Sequence, residues 1–212
     1  MHTPGSPHEE LANAASHLLG CLLALAAAPA LLQSAAAHDG RHGALAAALF
    51  CTTMLLQYAA SVACHACPPG LLKPRLRALD HAAIFLFIAG SLTPFALGAG
   101  RAEVCVAVWL LALAGAALKL AGRLTDRRRS TGVYLLLGAA ALAALAPALR
   151  ELDAGARGWL AAGVAAYGAG VLFFLADARL RFGHLVWHLF VLVGSACHLR
   201  ALLLATTAAP PA

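Results

Sequence analysis

The chain has 212 residues, 62% of them hydrophobic and only 11% charged, with a formal net charge of +6. Soluble domains carry about 25% charged residues, so there are too few here to cover a water-exposed surface. Length alone would permit one or two soluble domains; a mean hydropathy of +0.81 points instead to one all-α polytopic membrane domain, residues 1–212.

The first seventeen residues hold no Lys or Arg and do hold Glu9 and Glu10. They lack the positive flank of a secretory signal, so the first apolar run is read as a retained helix. Seven runs follow, each near the ~20 residues that cross a bilayer: 18–36, 43–64, 80–98, 103–121, 132–149, 158–176 and 184–206. Pro29 and Pro94 are expected to kink the first and third, and Pro147 lies near the end of the fifth, the shortest. Abundant Ala and Gly permit close helix approach. The longest linkers lie near 65–79, with Pro68, Pro69 and Pro74, and near 122–131, with Asp126 and Arg127 to Arg129. The tail 208–212 is expected to fray. No internal repeat supports an inverted-repeat transporter.

The basic residues set an orientation. With the N-terminus cytoplasmic, Lys73, Arg75, Arg77, Lys119, Arg123, Arg127, Arg128, Arg129, Arg179 and Arg181 fall inside. Arg41, Arg101, Arg150, Arg157 and Arg200 fall outside. The excess inside favours N-in, C-out across seven spans. These charges face anionic lipid; no basic patch interleaved with aromatics suggests nucleic acid. Of six cysteines, Cys21, Cys51, Cys105 and Cys197 lie within apolar runs as small hydrophobes. Cys64-His65-Ala66-Cys67 has no second Cys pair to support a redox or zinc-knuckle reading.

That orientation gathers polar groups at one membrane level. The second run ends there, with His65, and the third begins there, with Asp80. The seventh begins there too, with His184 and His188, whose i,i+4 spacing stacks both imidazoles on one face. Ser61 shares a face with His65, and His17 opens the first run at the same side. Neutral imidazole is a zinc ligand, and three with an open fourth position make a catalytic-type site. Asp80 then either ligates, or orients and deprotonates a water. Each residue also has a plainer reading: an interfacial histidine, Asp80 as an N-cap, Ser61 bonded back to its own helix. His81 is expected to point elsewhere and be structural. His198 lies about 21 Å beyond His184 along the helix, too deep for the same metal, and either bonds within the bundle or lines a cavity. No role is assigned to His2, His8, His38 or His42.

Several segments resemble bacterial hemolysin III proteins. They are Glu9-Glu10-x-x-Asn13-x-x-x-His17, Ser61-x-x-x-His65, Leu79-Asp80-His81 with Ile88-Ala89-Gly90-Ser91-x-Thr93-Pro94-Phe95, and His184-x-x-x-His188-Leu189-Phe190-Val191-Leu192-x-Gly194-Ser195-Ala196-x-His198. Together they cover nearly the whole chain in order. That family is grouped with the progestin and adipoQ receptors and is similar in turn to alkaline ceramidases. The resemblance implies seven spans in the cell inner (plasma) membrane and Zn2+ held by His65, His184 and His188. It implies that Asp80 orients the attacking water and that Ser61 contacts oxyanion or substrate. One departure concerns the residue before the second-run histidine, commonly aromatic in the family and Cys64 here; it bears on local packing or substrate shape. Three functions stay open: a zinc-dependent hydrolase of amide or ester bonds in a membrane lipid, a cytolytic pore, and a signal receptor with structural zinc.

Overall fold

The computed structural model describes residues 6–207, so His2 and the tail at 208–212 lie outside the described residues. The chain is all-helical: α1 (Pro7–Ala66), α2 (Lys73–Gly98), α3 (Ala102–Leu120), α4 (Arg127–Arg150), α5 (Ala154–Ala176) and α6 (Gly183–Thr207), with a short 3-10 turn, Asp177–Arg179, before α6. All six helices are long and apolar enough to cross a membrane.

The sequence predicts seven runs, and the difference lies in α1. Its backbone leaves helical geometry at Asp39 (φ −132°, ψ 30°) and Gly40 (φ 52°, ψ −137°), the latter a conformation that glycine alone adopts cheaply. A straight helix would hold residues 10 and 65 about 80 Å apart, yet Glu10 and His65 meet at 3.3 Å. The arms 7–38 and 41–66 therefore lie antiparallel. The loop expected between the first two runs is a two-residue kink.

Several helices extend beyond their apolar runs, each for a local reason. Ser6 accepts from the Glu9 backbone while the Glu9 carboxylate accepts from the Ser6 N–H, and Pro7 follows. This reciprocal cap starts α1 eleven residues before the first apolar run. Lys73 and Pro74 open α2, which places Asp80 in its second turn; the N-cap reading of Asp80 is thereby excluded. The Asp126 and Asp153 side chains cap α4 and α5. Pro29 and Pro94 are carried inside helical segments.

α2 is the central helix. On one side Phe87 and Phe95 join a core with Phe50, Met54 and Tyr58 of the second α1 arm, and with Val191 and Leu202 of α6. On the other, Phe85 and Leu92 pack with Val108 and Ala112 of α3 and Tyr134 and Leu145 of α4. Small residues set these approaches: a Cβ at Gly115 would sit 2.5 Å from the Phe85 ring, and one at Gly194 would sit 2.6 Å from Tyr167. Such helix contacts suit lipid, where close van der Waals packing replaces a hydrophobic driving force. Leu22, Leu23, Leu110, Leu136 and Leu172 are exposed on the outer faces, as a bilayer-facing surface requires.

Candidate metal centre

Five polypeptide segments converge at one end of the bundle: the start of the first α1 arm, the end of the second, the first turns of α2, the 3-10 turn after α5, and the start of α6. Each stops or starts there for a local reason. The second arm ends at Cys67, which is extended and precedes Pro68 and Pro69. Its last carbonyls, of Cys64 and Cys67, accept hydrogen bonds from Lys73 Nζ at 2.7 and 3.1 Å, a cation where the helix dipole favours one. α6 starts after Phe182, whose φ of 56° is unusual for a side-chain-bearing residue. The Glu9 carboxylate holds the Phe182 N–H at 2.8 Å. Gly183 follows because a Cβ there would lie 2.9 Å from Asp177 Cα.

These constraints bring His65, His184 and His188 together. Their ring centroids are 4.7–5.1 Å apart, and one ring nitrogen of each lies within 4.8 Å of the other two. That limit puts a common centre no more than about 2.8 Å from each nitrogen, against about 2.0–2.1 Å for a zinc–imidazole bond.

The other nitrogen of each ring is already committed. His65 Nδ1 is 3.3 Å from a Glu10 carboxylate oxygen. His184 Nδ1 is 2.9 Å from Asp177. His188 Nδ1 is 3.2 Å from the Asn13 carbonyl and 3.0 Å from Ser16 Oγ, whose own proton goes to Asn13 O. Carboxylate and carbonyl oxygens only accept, so each Nδ1 donates and each Nε2 keeps its lone pair. His65 Nε2 is buried with no protein partner. Three oriented, basic Nε2 atoms are what an imidazole-binding cation needs, so the three residues could hold a metal ion of that class.

Two of the supporting carboxylates are themselves clamped. Glu10 is bonded to Lys73 Nζ at 2.5 Å. Asp177 receives both Arg127 guanidinium arms at 2.6 Å; the same guanidinium bonds the Phe174 carbonyl and lies 4.0 Å over the Phe174 ring.

A cavity of about 290 Å³ opens from this end. His17, Asp80, His184 and His188 border it, and His65 stands behind them. Its remaining wall, from α2, α4, α5 and α6, is mainly apolar. Leu135 and Ala139 of α4 and Gly168 of α5 border the cavity and are exposed, which points to a sideways opening between α4 and α5.

A family model described as Haemolysin-III related matches residues 6–199. The chain belongs to that family. It is 33% identical to Hemolysin-3 of Bacillus cereus over 192 residues, covering 89% of this chain and 87% of the relative. It is 34% identical to the Hemolysin-3 homolog of Bacillus subtilis (strain 168), covering 89% and 90%. This haemolysin-III relative thus spans nearly the full length of its kin.

The remaining sequence-predicted residues fall as follows. Asp80 is buried on the cavity wall, with Gln57 Nε2 donating to its Oδ1 at 3.4 Å. Ser61 is fully buried one turn before His65 with an unpartnered Oγ; it back-bonds to no carbonyl, against its plain reading. His81 also borders the cavity, contrary to the expectation that it points elsewhere, and its ring stands edge-on to Phe174 at 6.1 Å. His17 stacks on His188 at 3.7 Å with both ring nitrogens unpartnered.

Sequence reasoning missed Glu10, Asp177, Asn13 and Ser16 as supports. Asp177 carried a faint signal, a lone acid closing an apolar run seven residues before His184. Asp177→Asn is expected to weaken metal affinity by about 10–100-fold with the helical fold kept. Competition against a metal-binding dye, alongside circular dichroism, checks this; unchanged affinity would show that Asp177 does not tune the site.

Proposed function

We propose that this chain is a seven-span, N-in protein of the inner membrane that hydrolyses an amide or ester bond within a membrane lipid. The observation that carries the reading is the set of three imidazoles, each with Nδ1 committed to a protein oxygen, at the head of a mainly apolar cavity that opens sideways. The basic residues gathered at that end support placing it in the cytoplasm. His65, His184 and His188 would hold zinc or another imidazole-binding divalent cation. Such a cation would supply polarisation of a carbonyl and a water acidic enough to ionise near pH ~7.

The chain's own groups supply the rest. The cavity admits the lipid from the side and keeps bulk water away from the scissile bond. Asp80 Oδ2 takes the proton of the attacking water as the carbon–oxygen bond forms. It returns that proton to the leaving nitrogen or oxygen as the old bond breaks. Gln57 holds Asp80 in place. Ser61, fully buried one turn before His65, would donate toward the carbonyl oxygen as negative charge builds there.

The relatives are named hemolysins, which favours cytolysis as a second reading. A water-filled pore wants polar side chains in file along several helices, whereas the polar groups here gather at one end. Structural zinc would take four protein ligands; among the described residues the cluster offers three. The test is metal analysis of purified protein with a fatty-acid release assay on vesicles containing a ceramide-like amide. About one divalent ion per chain is expected, with release abolished by a chelator and restored by zinc. A metal-free protein with full release, or conductance that survives chelation, would overturn the hydrolase.

A further inference from the structure

His198 lies ten residues beyond His188 on α6, about 15 Å deeper in the bundle. It is 3% exposed, borders the cavity, and has no hydrogen-bond partner for either ring nitrogen. Its surroundings do not explain it. A Cβ at Gly163 would lie 2.9 Å from His198 Nε2, and Tyr167 stands edge-on to the ring at 5.3 Å. Tyr167 is already satisfied: its hydroxyl is 3.1 Å from Ser195 Oγ, which donates its own proton to the Val191 carbonyl, so Tyr167 donates to Ser195. Ser91, which also borders the cavity, donates its hydroxyl proton to the Ile88 carbonyl. His198 is therefore an unpaired buried imidazole beside space, in apolar surroundings where an unmet polar group is costly.

We propose that His198 is a recognition residue for a hydrogen-bonding group carried partway along the acyl chain of the bound lipid, a chain hydroxyl in particular. The inference rests on the proposed function, since it seats the lipid carbonyl at the three-histidine end. An extended chain with bonds of about 1.5 Å at near-tetrahedral angles advances about 1.25 Å per carbon, so 15 Å corresponds to roughly carbon 12. A hydroxyl there both donates to and accepts from imidazole. Chains without it leave His198 bare. A site built to pair such a group discriminates against the analogue that lacks it.

The test uses the full chain reconstituted in phosphatidylcholine vesicles. The probes are three sphingoid-base amides, of octadecanoic, 12-hydroxyoctadecanoic and 3-hydroxyoctadecanoic acid. Binding is read by displacement of a fluorescent acyl amide, and cleavage separately by fatty-acid release. Wild type is expected to bind the 12-hydroxy amide about tenfold more tightly than the other two. His198→Leu is expected to bind all three alike, and His198→Gln to keep part of the preference. Equal binding of the three by wild type, the outcome if His198 is paired by water alone, overturns the proposal. So does a preference that survives in His198→Leu. If that variant fails to fold, the wild-type comparison of hydroxyl positions and the Gln variant decide. A binding preference without cleavage of any amide would instead overturn the hydrolase and leave the recognition role standing.

Discussion

His188→Ala is expected to purify without its metal and to lose lipid cleavage by a hundredfold or more. Of the three histidines, His188 is the most enclosed, at 2% exposure. It faces His65 and His184 on one side and the His17 ring on the other. Its loss removes one of three ligands, and a two-histidine site binds far more weakly and leaves the cation free to depart. The same change opens a void against His17 and removes the group bonded to Asn13 O and Ser16 Oγ, so some stability is lost too. His188→Gln separates the effects: it fills most of the volume but is a poor ligand. Metal content by mass spectrometry, fatty-acid release and a thermal melt are read on the same preparations. Loss of metal and cleavage in both variants, with the Gln variant melting near wild type, is the expected pattern. Cleavage retained by a metal-free His188→Gln would sink the hydrolase.

The parts of this arrangement that the sequence reveals are those set by local periodicity. Apolar runs give the helices, since nothing but a helix satisfies its backbone across lipid with so little polar surface. The i,i+4 spacing of His184 and His188 reads directly as one helical face. The reciprocal cap Ser6-Pro7-His8-Glu9 was equally legible by its pattern, yet hydropathy alone starts the first helix at residue 18. That omission matters, because the missing turns carry Glu10, Asn13 and Ser16 to the histidines. The break at Gly40 sits where a loop is expected, but the number of residues that leave helical geometry follows from the packing of the two arms. The pairing of Asp177 with both Arg127 and His184 joins residues 50 and 7 positions apart through a junction set by Gly183. No local signal specifies it. His198 shows the same limit: its depth follows from helical rise, while its unpaired state depends on neighbours from α5.

Asp80→Asn is expected to keep the metal and to lower the rate of lipid cleavage by about 10²–10⁴-fold, the range that a positioned general base supplies. The substitution is nearly isosteric, and its Oδ1 still accepts from Gln57, so packing on α2 is little disturbed. What it removes is the ability to take a proton. The contrast with Ser61→Ala is informative. Ser61 Oγ makes no close, well-aligned hydrogen bond, so its loss costs little stability. If it donates to the developing oxyanion, that variant slows cleavage by about 10²–10³-fold without altering metal content. The two roles separate by pH: without a base, Asp80→Asn should speed up as added hydroxide replaces it, whereas Ser61→Ala should keep the wild-type profile at lower rate. Loss of metal from Asp80→Asn would make Asp80 a fourth ligand and the site a closed, structural one, because a cation gripped by three imidazoles and a carboxylate has no position left for water or substrate.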